Sequence, residues 1–307
     1  MSESKCGAES EYASGAREGA WRAHPEGEPP AADRMTPGLY LVATPIGNIA
    51  DITLRALECL SAVDLIACED TRRTGRLLAR YGLKTPMLAY HDHNAAKVRP
   101  VILQRLRAGE RVALVSDAGT PLISDPGFKL VRDALSENIP VTHLPGASAA
   151  VAALVLSGLP IGRFLFAGFL PAKASERRRV LAELRDLDAA LVFFESPRRL
   201  GPSLREMAAV FGDARPAAVG RELTKLYEEV RRGSLGDLVR QYRTPPKGEV
   251  VIVIGPPAPR GMDEAGIVAA LRQVSSRMRL KEAVNLVAKL SGRPKREVYR
   301  LALSLKG

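Results

Sequence analysis

From Leu39 onward, apolar runs of strand length alternate with helix-like stretches, and this rhythm restricts the chain more than any other property. Residues 39–43, 63–68, 111–116 and 141–144 form four such runs, the last two preceded by helical stretches at 95–107 and 128–137. Alternation of this kind predicts parallel βαβ units wound into an α/β sheet. A Pro/Gly loop follows the first run, and Asp51 stands where a helix N-cap is expected. The rhythm resumes near Gly162. Residues 164–169, 190–195, 216–220, 225–232 and 249–254 read as strands, with helices over 175–186, 199–211 and 235–242. This half is expected to be α/β again, with antiparallel pairings.

Both ends depart from the rhythm. Residues 1–38 contain no Val, Ile, Leu or Phe and are rich in Gly, Pro, Glu, Ser and Ala. Such a segment cannot bury enough apolar surface to offset its ordering entropy, so disorder is expected. At the other end, GPPAPRG (255–261) reads as a linker. Three apolar stripes at helical spacing follow it: Ile267, Leu271 and Val274; Leu280, Val284 and Val287; Val298, Leu301 and Leu305, the last behind Pro294. The expected organisation is a disordered tail (1–38), a first α/β domain (39–160), a second (161–255) and a basic three-helix module (262–307).

Charge follows the same division. The net charge is +11, yet the tail carries seven acids against four bases, so the rest of the chain carries +14. From Arg260 onward, eleven bases face four acids. That balance favours a polyanionic partner, the alternative being a solubility surplus. The three cysteines, Cys6, Cys59 and Cys68, cannot form a disulfide framework, and the four histidines show no zinc-like spacing with them. No metal is expected. No apolar run approaches the length of a membrane span and the N-terminus lacks a signal pattern, so a cytosolic protein is expected.

The loops behind the first-half strands carry the chemistry. They read TPIGN (44–48), SDAGTPLISDPG (116–127) and PGASA (145–149). In a wound parallel sheet the ligand crevice lies at the carboxyl ends of the strands. Small residues there let backbone groups approach a ligand, and Pro presets the loop shape. Neither G-x-G-x-x-G after the first strand, nor a P-loop, nor a G-x-S-x-G elbow is present, which disfavours a standard dinucleotide fold, a P-loop NTPase and an α/β-hydrolase.

Read as a set, these loops resemble the tetrapyrrole methylase superfamily, and within it the branch that 2′-O-methylates a cytidine of small-subunit (16S) ribosomal RNA. The motifs that carry the resemblance are TPIGNIADIT (44–53), CEDTRRT (68–74), HDHN (91–94), SDAGTPLISDPG, PGASA, FFESPRR (193–199), RELTK (221–225) and GEVVIVIG (248–255). The resemblance implies a two-domain α/β methylase fold with a small helical appendage, S-adenosylmethionine as cofactor in a cleft between the domains, and a homodimer. By the same resemblance Ile46 and Gly47 face the cofactor from the first loop, and Ala118, Gly119, Thr120 and Ile123 from the second. Thr120 stands where the superfamily has an Asp, so Asp117 is expected to supply the carboxylate. Gly146, Ala147, Ser148 and Ala149 are expected against the adenosyl moiety, and Glu195 and Leu223 at positions that close the pocket. In this sequence Ala95 and Ala96 follow HDHN, where the family usually has an acid.

A sulfonium cofactor brings its own leaving group, so the protein supplies orientation and a dry site. A ribose hydroxyl is a poor nucleophile near neutral pH, which calls for a base or a polarising cation. Glu222 and Lys225, three apart in RELTK, rank first as an orienting pair, followed by Asp70; Glu69 and Glu195 also end strands. For each, the alternative is a structural ion pair. Arg72, Arg73, Arg198 and Arg199 follow strand-end carboxylates and suit forked phosphate contacts with RNA. Two rival functions remain: a methylase acting on a tetrapyrrole, and a non-catalytic RNA-binding assembly factor.

Overall fold

The computed structural model describes residues 35–258, 264–275 and 278–305, so the expected disordered tail lies outside the described residues as far as residue 34. These residues fall into two compact units divided between Ala147 and Ser148. The sequence alone suggests a boundary at 160, whereas the contacts divide the chain at the start of the helix that follows Ala147.

The first unit is a five-stranded sheet. Its strands are β1 (Gly38–Val42), β2 (Leu65–Cys68), β3 (Met87–Ala89), β4 (Arg111–Val115) and β5 (Val141–Leu144), ordered β3-β2-β4-β1-β5. All pairings are parallel, as the alternation predicts. Helices α1 (Leu54–Ala62), α2 (Thr71–Arg80), α3 (Ala95–Arg107) and α4 (Phe128–Ser136) supply the crossovers. Successive residues of each strand serve opposite faces, as the pleat requires. Leu39, Leu41, Leu65, Ala67, Val112 and Leu114 pack with α3 and α4, whereas Tyr40, Val42, Ile66, Cys68, Ala113 and Val115 pack with α1 and α2. Two expectations need correction. Asp51 lies inside a 3-10 turn (Ile49–Asp51), and the cap of α1 is Thr53, whose hydroxyl accepts from Ala56 N–H at 3.1 Å. The short edge strand β3 has no counterpart among the apolar runs of the sequence.

The chain leaves β1 and β4 in opposite directions. From β1 it runs through α1 to β2, while from the neighbouring β4 it runs through α4 to β5 on the other side. A sheet whose adjacent crossovers diverge has a topological switch point, and a crevice opens at the carboxyl ends of those two strands.

The second unit holds β6 (Phe164–Phe169), β7 (Ala190–Glu195), β8 (Pro216–Arg221), β9 (Glu229–Ser234) and β10 (Val250–Ile254), ordered β6-β7-β10-β8-β9. Only β6 and β7 pair in parallel; β10 runs antiparallel to both its neighbours and β9 to β8. Residues 225–228, expected to start a strand, instead form a turn ahead of β9. One face packs through Leu191, Phe193, Val219 and Ile252 against α6 (Ala174–Leu184), α7 (Pro197–Phe211) and α8 (Leu235–Gln241). Helix α5 (Ala149–Ser157) lies against β10 and β8, and therefore belongs to this unit rather than the first domain. Helices α9 (Glu264–Ser275), α10 (Leu280–Ser291) and α11 (Lys295–Ser304) build a separate small core from Ile267, Leu271, Val284, Val287 and Val298, along the predicted stripes.

Candidate active site

The loops after β1 and β4 are stapled at the switch point. Thr44 N–H donates to Gly119 C=O at 2.9 Å and Gly119 N–H returns to Thr44 C=O at 3.0 Å. The Thr44 hydroxyl donates to Ser116 C=O at 3.1 Å, and the Ser116 hydroxyl donates to Gly119 C=O at 3.1 Å. Gly119 has φ +81°, and a Cβ there would lie 3.4 Å from Ile46 Cγ2 and 3.6 Å from Ala147 O. Residues of all three Gly/Pro loops thus meet around one glycine. Further along the second loop, Leu122 (φ +73°) and Ser124 (φ +68°) hold left-handed conformations that side chains disfavour, a form of local strain common at binding sites.

The residues expected to face a cofactor are spread around this junction. Ile46 is buried, whereas Gly47, Ala118, Gly146 and Ile123 are exposed and Asp117, Thr120 and Ala147 half-buried. Ser148 and Ala149 open α5 in the second unit, as N-cap and first residue. A hollow of ≈ 180 Å³ beside the staple is lined by Thr44, Pro45, Gly47, Arg73, Ser116 and Asp117 among others. Asn94 of the HDHN loop braces that loop internally, accepting from His91 N–H and donating to Ala89 C=O, both at 2.9 Å; it makes no side-chain cap on α3.

Carboxylates gather at the same end of the sheet. Asp117 accepts from Asp70 N–H at 3.0 Å and lies 3.4 Å from Arg73 Nε. Asp125, half-buried, is the residue that sequence reasoning missed. Burial, followed by the negative charges of Glu69, Asp117 and Asp92, pushes its carboxyl up to about 6 against an opposing bond from Ser116. Glu69 is raised by burial first and then by Asp117. Asp70 goes the other way. It is the N-cap of α2, doubly bonded to Arg72 at 3.0 and 2.8 Å, and these bonds hold its carboxyl far below the usual range. A carboxylate so firmly ionised is a poor proton acceptor, and the capping and ion-pairing role is the structural alternative for Asp70. Its partner Arg72 is largely exposed and retains donors that face solvent.

In the second unit, Glu222 and Lys225 pair as their spacing predicts, Lys225 Nζ donating to Glu222 Oε1 at 2.8 Å and to Glu249 Oε2 at 2.9 Å. Glu222 also accepts from Glu249 N–H at 2.9 Å. The bond from Lys225 lowers the Glu222 pKa. Burial disfavours the Lys225 ammonium, but its two carboxylate bonds outweigh that and raise its pKa. The pair is therefore a fixed ion pair near neutral pH, with no group ready to take a proton. Glu222 (φ +50°) and Thr224 (φ +65°) are both left-handed, and Leu223 between them is buried over Gly220.

Glu195 and Arg199 are also paired. The Glu195 side chain is 1% exposed and accepts from Ser196 N–H at 2.8 Å, the Ser203 hydroxyl at 2.6 Å and Arg199 Nη2 at 3.2 Å. Arg199 also donates to Leu170 C=O at 2.6 Å. Glu195 is fully buried and Arg199 about one third exposed, and both are bonded within their own unit, which is the structural alternative to a pocket-closing carboxylate and a phosphate fork. Arg198 is exposed. Among the described residues, no group of three or more His, Cys, Asp or Glu side chains is arranged to hold a metal ion, and no helix is long and apolar enough to cross a membrane.

Comparison with known proteins identifies the family. Residues 38–239 match the Tetrapyrrole (Corrin/Porphyrin) Methylases, and residues 262–306 match the RsmI C-terminal HTH domain. The chain is similar to the ribosomal RNA small subunit methyltransferase I of Mesorhizobium japonicum, at 50% identity over 89% of this chain and 93% of that protein. It is also similar to that of Escherichia coli O157:H7, at 43% identity over 90% and 98%. Among solved structures, a cobalt precorrin-4 methyltransferase superposes with TM-score 0.55 at 18% identity, covering 71% of this chain and 94% of the other. Uroporphyrin-III C-methyl transferase from Thermus thermophilus, complexed with S-adenyl homocysteine, gives 0.52 at 17% identity, covering 70% and 96%. At those identities the structural likeness concerns the fold alone.

Proposed function

Since the chain belongs to the tetrapyrrole methylase family and, within it, to the ribosomal RNA small subunit methyltransferase I proteins, we propose that it methylates the ribose 2′-hydroxyl of a cytidine in 16S ribosomal RNA. It is an S-adenosylmethionine-dependent methyltransferase. The observation that carries the site assignment is the Thr44–Gly119 staple, which joins two Gly/Pro loops at the switch point of a parallel sheet. The residues around it fit such a cofactor: small side chains leave backbone accessible, and the Asp117 carboxylate in the adjoining hollow would attract its cationic groups. When bound, the cofactor supplies an electrophilic methyl group with a neutral leaving group. Ile46, Gly47, Ala118, Gly119, Thr120, Ile123 and Gly146–Ala149 are assigned to holding it.

What the protein itself must do chemically is take the hydroxyl proton. Asp125 suits that role, because its carboxyl is ionised just above pH 6, where it is still basic enough to accept a proton. Arg72, Arg73 and Arg198 are exposed cations assigned to the RNA backbone. Lys225 is a permanent cation held by Glu222, suited to orienting the substrate rather than to proton transfer.

A homodimer is part of the proposal. In its support, the second unit exposes Phe164 (53%), Phe169 (57%) and Val155 (67%), large apolar groups that a partner subunit would cover. Sedimentation at micromolar concentration tests it. A ribosomal substrate puts the enzyme in the cytoplasm, a compartment in keeping with the free, buried thiols of Cys59 and Cys68. The function is tested by incubating the protein with labelled S-adenosylmethionine and undermethylated small subunits, then mapping the label. Label on a cytidine ribose is expected; label on a base, or transfer only to a tetrapyrrole, would overturn the reading.

A further inference from the structure

The C-terminal helices contain a groove of ≈ 520 Å³ that the methylase site does not use, lined by Leu280, Lys281, Val284, Asn285, Lys295, Arg296 and Tyr299. Its charge is one-sided. Lys281, Lys295 and Arg296 are exposed, and among the described residues none of the three makes an ion pair. The nearby acids are engaged elsewhere: Glu282 accepts from Arg279 N–H at 3.2 Å, and Glu297 pairs with Arg293 at 3.4 Å. Lys281 stands in the first turn of α10, and Lys295 and Arg296 in the first turn of α11. Cations in a first turn oppose the helix dipole, so this placement is unfavourable in the free module. An anion in the groove removes that penalty.

The aromatic ring narrows the choice of anion. Tyr299 is 46% exposed on the wall that carries Lys295 and Arg296. A helical module cannot read double-stranded RNA as its DNA-binding counterparts read DNA, because the major groove of A-form RNA is too deep and narrow to admit side chains. Unpaired nucleotides, in contrast, offer a base to stack and a phosphate on either side of it. We infer that this groove grips a single-stranded segment of the RNA substrate, with one base stacked on Tyr299 and the flanking phosphates on Lys281, Lys295 and Arg296. The inference rests on the proposed RNA substrate and adds the strandedness of the RNA and the place where it docks.

The test uses the full-length protein, a fluorescent single-stranded oligoribonucleotide and its blunt duplex. The wild type is expected to prefer the single strand. Tyr299→Ala is expected to weaken single-strand binding by about tenfold or more, within the usual range for one stacked base, with Tyr299→Phe restoring it. The triple change Lys281→Gln, Lys295→Gln, Arg296→Gln is expected to reduce the log–log salt slope by about 1.4, at about 0.7 for each of the two flanking phosphates. All four positions are exposed, and unchanged helical circular dichroism and thermal unfolding serve as the control for folding. Unaltered affinity and slope in the variants, or equal binding of the duplex, would overturn the inference. So would variants that bind naked RNA normally but lose assembled subunits, because the groove would then take a protein. Label transfer to small-subunit RNA by the wild type is measured in parallel. If it occurs while the variants bind as wild type, only the groove assignment fails; if it never occurs, the proposed substrate fails first.

Discussion

The carboxyl group of Glu222 fills the space that a side chain on Gly248 would occupy: a Cβ there would lie 2.4 Å from the Glu222 carboxyl carbon. Gly248 also has φ +90°, where any side chain is disfavoured. Gly248→Ala is therefore expected to displace Glu222, break its bond to Lys225 and destabilise the protein by about 1–3 kcal/mol, the scale of local overpacking. Adding Glu222→Ala vacates the contested space, so the double variant should lose less than the sum of the two single losses in denaturant unfolding. Strict additivity would show that the two residues do not compete.

Asp125 governs the expected pH dependence. Its carboxyl must be ionised to accept a proton, so turnover should rise as pH passes upward through about 6. Asp125→Asn should remove that limb and lower kcat by about 10²-fold or more, the usual contribution of a positioned base. The ionised carboxylate is disfavoured by burial and by its acidic neighbours, and this burden is present above about pH 6 and absent well below it. The Asn variant should therefore melt no earlier than wild type at pH 7.5. Near-full turnover in the variant would transfer the role to Glu69.

Gly119→Val tests the staple. A branched side chain at φ +81° is conformationally unfavourable and would press on Ile46 Cγ2. Loss of at least about tenfold in S-adenosylmethionine affinity by calorimetry is expected, equivalent to roughly 1.4 kcal/mol. The far-ultraviolet circular dichroism should be retained, because the strands end before this loop. Unchanged affinity would remove the loop from the cofactor site.

Neighbouring arginines should behave oppositely. Arg199→Ala leaves the buried Glu195 carboxylate without its cation, and an unfolding penalty of about 3 kcal/mol or more is expected. Arg198→Ala should leave the melting temperature unchanged within error and weaken RNA binding with a reduced salt dependence. The sequence alone treats the pair as equivalent; equal effects on stability would contradict the distinction.

How much of this is legible in the chain depends on how local each signal is. The four longer strands of the first sheet appear as apolar runs because their residues feed cores on both faces. Strand β3 has only three residues, none fully buried, at a sheet edge, and so carries almost no pattern. Helix α5, AAVAALVLS, is apolar on nearly every side, so its sequence gives no direction to either sheet and assigns it to the wrong unit. The cofactor loops can be read from their Gly and Pro residues. Asp125 cannot be singled out, since its raised proton affinity comes first from burial and then from Glu69, Asp117 and Asp92, all conditions that only folding creates. Conversely, Asp70 and Arg199 look available because capping and burial are properties of the folded neighbourhood.

The place of β1 in its sheet also constrains how the protein is made. This strand ends at Val42, yet its two partners, β4 and β5, begin only at Arg111 and Val141. During synthesis the earliest strand is therefore the last to gain both neighbours, and its backbone edges stay unpaired while the intervening chain emerges. Pairings so distant in sequence form slowly and leave partly folded chains prone to aggregate. The Thr44–Gly119 bridge cannot close before β4 is in place, so nascent chains that stop short of it have no assembled cofactor loop. A cofactor-binding signal from such chains should appear abruptly with length, and rescue by added S-adenosylmethionine should act only on chains that already contain the whole first unit.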